Sequence, residues 1–383
     1  GGVAYYLLRS VRHTLRQRQW FNSSQRPEPN LGQFLDLVAL GTVADVVPLD
    51  CNNRILVHQG LLRMRQGHTR PGIRALVEIG KRDLSRLSAQ DLGFAVGPRL
   101  NAAGRLQDMS VGIRCLLADD LSSARALAQE LDGLNKDRRE LEQDMVADAE
   151  LLLAQVPKID RNFGVAVYHE RFHQGVVGIV AGRLRERLHR PAIVFADSSE
   201  GAAGEIKGSA RSIDGLNIRD VLDTIATRYP GLLIKFGGHA MAAGLSLKHV
   251  HFERFRSIFD GVVSELIDED TLRAKCFVDG GLTEQELTLE TVHTLFAAGP
   301  WGSGFPEPTF CDDFELVSQR VVGAQHLKLV LRKGTRLVDA IAFRQPPLDQ
   351  RIKRLRVVYR PARNDYGNTP TLQLIVEYVE PLA

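Results

Sequence analysis

Between Leu121 and Gln155 the chain carries its longest periodic pattern, and the rest must fold on either side of it. Leu127, Leu131, Leu134, Leu141, Met145 and Leu152 fall mostly at three- and four-residue steps or their sums, the spacing that aligns one helix face. Ser122 and Ser123 suit its start and Pro157 lies just past its end. Such a helix spans about 50 Å at 1.5 Å per residue. It reads as a connector between domains. Arg138 and Asp148 interrupt the stripe, which argues against a coiled-coil dimer.

The 383 residues are too many for one ordinary core, so two or three domains are expected. Before the long helix, residues 1–19 read as the end of a helix with Val3, Leu7, Val11 and Leu15 at fourfold spacing, and residues 21–30 as a loop. Leu35–Leu40 is a short apolar run that reads as a buried strand, broken by Gly41–Asp45. Asn52–Met64 and Arg70–Ile79 look helical, and Leu92–Arg105 reads as a loop-bearing segment with a basic end.

After the long helix, Phe163–Tyr168 and Pro191–Phe195 read as strands around a basic helix Arg183–Arg190. Helices follow at Ile218–Arg228 and Phe252–Ile267. Strands alternating with helices imply an α/β unit. From Thr271 the character changes to short β-rich runs (327–331, 337–343, 355–359, 372–378) between Gly, Pro and Asn turns, an all-β barrel or sandwich.

A composition of 44% hydrophobic and 25% charged residues is that of a globular protein, with no run of about eighteen apolar residues to span a membrane. Cys51, Cys115, Cys276 and Cys311 are scattered without a C-x-x-C pair, which argues against zinc and disulfides and fits a reducing cytoplasm. A net charge of +3 permits nucleic acid without requiring it.

Two stretches carry the chemistry. In Lys235–Gly244, Gly237 and Gly238 would let a backbone approach a ligand, and His239 follows with no long neighbour. Lys207–Ser212 offers Lys207, Ser209, Arg211 and Ser212, groups that hold phosphate. Alone, each reads equally well as an ordinary turn; together they favour an anion site. Asn101 and Arg105 read either as a helix terminus or as a phosphate clamp. His173 precedes a glycine-flanked apolar run at a strand-to-helix turn, where α/β folds bind ligands. Asp36 and Asp45 flank the expected strand end and could hold Mg²⁺ or Mn²⁺, though a cap or turn role is the commoner one for such a residue. Asp50 reads as the start of a turn. In the β module Arg332, Lys333, Arg336, Arg351, Lys353, Arg354, Arg356, Arg360 and Arg363 lie near Tyr359 and Tyr366. That is the pattern of single-strand binding on a small barrel, and equally that of a solvated face. No nucleophile elbow, Walker loop or G-x-G-x-x-G loop is present.

Five ordered stretches, Leu35–Leu49, Asn101–Arg105, His173–Ala181, Lys207–Ser212 and Phe236–Gly244, closely resemble the DHH/DHHA1 phosphoesterase superfamily and, within it, the RecJ-type single-strand-specific exonucleases. The resemblance covers essentially the whole chain. It implies an α/β protein with part of a DHH domain (1–118), a connecting helix (119–156), a DHHA1 domain (157–270) and a C-terminal OB-fold barrel (271–383). It also implies 5′→3′ digestion of single-stranded DNA in recombination and repair with Mn²⁺ or Mg²⁺.

Carried over residue by residue, Asp45 matches the last metal-ligating Asp and Asp36 another acidic position. Arg105, Arg211, Ser212 and His239 match positions that contact the scissile or neighbouring phosphates. Ala210 and Gly182 stand where Gly and Ser are usual in the family, both small. The family's Asp-x-Asp motif, isolated Asp and Asp-His-His triplet do not precede Leu35, so the resemblance implies an N-terminally truncated chain. Such a chain would bind single strands without cutting them, with residues 1–118 poorly stable. The partners implied are single-stranded DNA and a single-strand-binding protein or helicase, with no membrane and a monomeric state. The rival readings are a DHH-family phosphodiesterase for short oligonucleotides and a non-catalytic replication accessory protein.

Overall fold

The computed structural model describes residues 1–154, 162–198, 204–323, 326–365 and 369–382, and it divides into two compact units, residues 1–98 with 276–383, and residues 99–275. In the first, α1 (Gly2–Gln17), α2 (Trp20–Ser23), α3 (Leu35–Ala44), α4 (Cys51–Arg65), α5 (Pro71–Ile79) and the single turn α6 (Ala89–Asp91) follow one another. The Leu35–Leu40 run is therefore not a strand. It continues apolar through Ala44 with both faces packed, and periodicity cannot separate a buried strand from a buried helix in so short a run. Asn30 starts it by accepting the Gly32 N–H at 3.0 Å in the preceding 3₁₀ turn. Gly60 of α4 lies directly against the α3 backbone, where any Cβ would overlap the Leu35 carbonyl.

Asp50 caps α4, its Oδ1 accepting the Asn53 N–H at 2.7 Å. Asp50→Ala is expected to cost about 1 kcal/mol, read as a lowered denaturant midpoint at unchanged slope. The Leu92–Arg105 stretch is helical rather than a loop: a π turn (Leu92–Val96) runs into α7 (Gly97–Leu106).

The second unit is built on one sheet. α8 (Ser110–Leu117) leads to α9 (Leu121–Ala154), the long helix; Gln155 and Pro157 lie outside the described residues. Then come β1 (Val165–Tyr168), α10 (Val177–Leu188), β2 (Ala192–Asp197), β3 (Glu205–Arg211), α11 (Ile218–Arg228), β4 (Lys235–Gly238), β5 (Ala242–Lys248) and α12 (Phe252–Leu266). The sheet order is β1-β2-β3-β5-β4. β1 and β2 are parallel, joined through α10, and the other pairs are antiparallel. Val165, Val167, Ala192, Val194 and Ala196 face α9 and α10; Ile193, Phe195, Ile206, Ala210, Leu245 and Leu247 face α11 and α12. The two stretches that read as turns are not simple loops: Lys207–Arg211 lies in β3, and Lys235–Gly244 is β4, a tight turn at His239–Met241, and the start of β5. Glycine, alanine and serine at alternate positions hide the period-two signal there.

In the first unit, α13 (Leu289–Ala298) precedes β6 (Phe310–Val322), β7 (His326–Lys333), β8 (Arg336–Ala342), β9 (Arg354–Asn364) and β10 (Thr371–Leu382), which close into a barrel in the order β10-β8-β7-β6-β9. β6 had no sequence counterpart among the expected runs, because Phe314 is its one fully buried side chain.

Candidate phosphate-binding site

The register of β3, β5 and β4 lays out the site. Ser209 pairs with Gly244, and Gly244 with Gly237. Two residues along, Arg211 pairs with Ala242, whose carbonyl accepts the His239 N–H at 2.8 Å. Paired residues share a sheet face, so Ser209 and Arg211 stand at one side of a strip of Gly244, Gly237 and Ala242. His239, exposed at the β4–β5 turn, stands at the other. With strands about 4.8 Å apart, the Arg211 and His239 backbones lie about 10 Å from each other, room for a phosphodiester between their side chains. Gly238 has φ +147°, and a Cβ there would strike Ala242 and Ala243, so the tight turn that presents His239 requires glycine.

Arg211 is half-buried, its Nη1 donating to Ser209 Oγ at 3.0 Å and to the Ala210 carbonyl at 2.8 Å. Gly178, in the first turn of α10, makes room for it: a Cβ would sit 2.8 Å from Arg211 Nη2 and 3.0 Å from Ser209 Oγ. The α10 N-cap, Val176, makes no side-chain capping bond, so the positive end of the helix dipole adds to the guanidinium. Burial, then Arg105 and Arg185, push the Arg211 guanidinium below its ordinary pKa. The positive field that Arg105 and Arg185 add around Arg211 is one that a phosphate would relieve.

Arg105 and Asn101 lie exposed, four residues apart on α7, and Arg105 Nη1 donates to the Gly175 carbonyl at 3.2 Å. His173 is committed locally: its Nδ1 accepts the Gly175 N–H at 3.1 Å and its carbonyl takes Val176 and Val177 N–H, leaving Nε2 outward. Lys207 stands on the same β3 face as Ser209 and Arg211. Ser212 departs from expectation. It is fully buried and donates to the Leu216 carbonyl at 2.7 Å, so it ties the chain after β3 and has no hydroxyl to offer a phosphate. Gly178 was not singled out in the sequence; its place beside Arg211 follows from the β1–α10–β2 crossover.

Asp36 and Asp45 differ sharply. Asp36 lies inside α3, 1% exposed, with both oxygens taken by Arg70, Thr69 and the Leu37 N–H, so its expected role as a metal ligand gives way to that of a structural anchor. Asp45 follows α3 as its C-cap, exposed, and its carboxylate has no partner among the described residues. It fits a divalent ion as a single oxygen ligand. Among the described residues no group of three or more His, Cys, Asp or Glu could hold a metal, so the residues present do not make a complete metal site.

The barrel also departs from expectation. Tyr359 is fully buried, its hydroxyl donating to Asp312 at 2.6 Å, and burial drives its pKa strongly upward. It cannot stack on a base, and Tyr366 lies outside the described residues. Arg332, Lys333, Arg351, Arg356, Arg360 and Arg363 pair with the barrel's own carboxylates, and Arg336 donates to the Glu284 carbonyl. Lys353 and Arg354 stay exposed. Among the described residues, rings exposed for stacking include Phe343 and Tyr378, exposed by 55% and 58%, and Phe277 just before the barrel.

A sheet that sets Arg211 beside a glycine-lined strip, under a helix N-terminus and next to Arg105 of α7, carried in one chain with a closed five-stranded barrel, defines a DHHA1-type phosphoesterase with an OB module. The family models agree: DHHA1 domain over residues 160–265 and RecJ OB domain over residues 278–378. The single-stranded-DNA-specific exonuclease RecJ of Dickeya dadantii is 50% identical over 388 residues, covering 100% of this chain and 67% of that protein. The Escherichia coli protein of that name is 48% identical over 391 residues with the same coverage. RecJ from Thermus thermophilus, solved in complex with Mg²⁺, superposes with a TM-score of 0.77 at 29% identity, covering 95% of this chain and 54% of that one; its Mn²⁺ complex matches equally at 30% identity. The chain belongs to the RecJ family of single-stranded-DNA-specific exonucleases. It spans about two thirds of these curated relatives and about half of the solved structures.

Proposed function

We propose that this chain forms the phosphate-gripping and strand-binding parts of a metal-dependent 5′→3′ exonuclease that hydrolyses single-stranded DNA in recombination and repair. The convergence of Arg105 and Arg211 beside Ser209 at the α10 N-terminus carries the reading. Arg211, half-buried and aimed by the Ala210 carbonyl, holds non-bridging oxygens of the scissile phosphate; Ser209 Oγ adds a short donor; Arg105 neutralises the charge beside it. Gly237 and Gly238 let the strand approach the sheet edge. His239, exposed across the strip, donates a proton to the departing oxygen or stabilises its charge. Asp45 would supply one carboxylate ligand to Mg²⁺ or Mn²⁺, the ions bound in the related structures. The barrel, with Phe343 and Tyr378 exposed, favours a long single strand over a very short oligonucleotide. In a chain of the relatives' full length, His239→Ala is expected to lower turnover about 10²-fold while changing DNA affinity little. Release of labelled mononucleotide at the wild-type rate would remove His239 from the site.

A further inference from the structure

The buried stripe of α9 changes chemistry partway along. Toward its C-terminus Met145, Ala149 and Leu153 pack against α10 and the sheet. One turn earlier the same stripe continues as Glu142, Arg138 and Asn135, at three- and four-residue steps. Glu142 and Asn135 are 8% and 1% exposed. Glu142 accepts from Arg138 Nη1 at 2.9 Å and from Arg183 Nε of α10 at 3.0 Å, and Arg138 Nη2 donates to Asn135 Oδ1 at 3.3 Å. An apolar stripe would tie the two helices at lower cost, since buried ion pairs contribute weakly to stability.

The network is also unfinished. Among the described residues Arg138 Nε and Asn135 Nδ2 are buried with no hydrogen-bond partner. Both are donors, so what they lack is an acceptor. The surroundings add positive charge. Arg138 is pushed below its ordinary pKa by burial foremost; Glu142 offsets part of this, and Arg139 and Arg105 repel it further. Arg105 repels Arg211 as well, so it lies within electrostatic reach of both. Met145 ties the same stripe to the site, its Sδ accepting the His173 N–H at 3.5 Å, two residues before the Gly175 that receives Arg105.

We infer that α9 builds a second phosphate subsite, in which Arg138, aimed by Glu142 and Asn135, shares with Arg105 the backbone phosphate next to the one held by Arg211 and Ser209. The inference rests on the reading of the Arg211 site as a phosphate grip. The ligand is a phosphodiester run of at least two phosphates, so the long helix serves as part of the substrate track as well as a structural member.

The test is titration of the 383-residue chain with a labelled oligothymidylate over a series of salt concentrations, with inorganic phosphate as the one-subsite probe. Arg138→Met is expected to weaken oligothymidylate binding about tenfold at low salt and to reduce the slope of log K against log salt by about 0.7, with inorganic phosphate binding unchanged. Arg138→Lys should retain the slope. A ligand-side change avoids any folding effect: an oligothymidylate with a neutral methylphosphonate at one linkage near its end should lose the same affinity with the wild-type chain. Arg211→Met is the control for the grip. If it weakens binding while Arg138→Met and the methylphosphonate ligand leave affinity and slope unchanged, the second subsite is overturned and the grip stands. If Arg211→Met also changes nothing, the grip falls and the subsite with it.

Discussion

Arg211→Met, in a chain of the relatives' full length, is expected to reduce turnover on single-stranded DNA by about 10²–10³-fold, the usual effect of removing one fixed donor from developing negative charge. The expectation comes from how the residue is held. Its guanidinium is half-buried, fixed by Ser209 Oγ and the Ala210 carbonyl, and has no carboxylate among its hydrogen-bond or ion-pair partners in the described residues. An arginine kept for stability would pair with an acid, as Arg332 does with Glu315 on the barrel. Arg211→Lys should recover little, because a point charge cannot replace the fork. Gly178→Val should imitate Arg211→Met without touching the arginine, since its side chain would occupy the space of Arg211 Nη2 and Ser209 Oγ. Steady-state release of 5′-labelled nucleotide checks all three. Turnover within a few-fold of wild type for both Arg211→Met and Gly178→Val would show that the scissile phosphate is held elsewhere.

The parts of the fold that were legible are those with one clear period. α9, α11 and α12 announce themselves by three- and four-residue steps, and β1 and β2 by short β-branched runs. α3 was not, because it is mostly apolar, packed on all sides and too short for its period to show. β3, β4 and β5 were not, because the site needs glycine and small residues where a strand would advertise itself with valine or isoleucine. The same conflict explains the site. The types of Arg211, Arg105, Ser209 and His239 suggested phosphate from the start. That Ser212 turns inward, that Tyr359 is spent on Asp312, and that Gly178 lies against Arg211 depend on sheet register and a crossover helix, which no local window contains. Asn135, Arg138 and Glu142 were hidden for a different reason. On a helical wheel Arg138 interrupts a stripe, and only the packed structure reveals that the polar residues continue it.

Asp36→Ala is expected to lower folding stability by about 3–5 kcal/mol, the range for breaking a buried ion pair from one side. Asp36 Oδ2 accepts from Thr69 Oγ1 at 3.2 Å and from the backbone N–H and Nε of Arg70, both at 3.1 Å; Oδ1 accepts the Leu37 N–H at 2.7 Å and Arg70 Nη2 at 3.3 Å. The carboxylate therefore joins the start of α3 to the start of α5, and its removal leaves the Arg70 side chain, 19% exposed, without its counter-ion. A carboxylate that serves a metal behaves in the opposite way. Without the metal its loss is neutral or stabilising, because the site's negative charges no longer repel one another. Unfolding by denaturant in the presence of a chelator separates the two roles. Asp36→Ala should show its full loss there, whereas Asp45→Ala, with an exposed and unpartnered carboxylate among the described residues, should stay within about 0.5 kcal/mol of wild type. A neutral Asp36→Ala in chelator would return Asp36 to the metal site and take from α3 the anchor that Arg70 supplies.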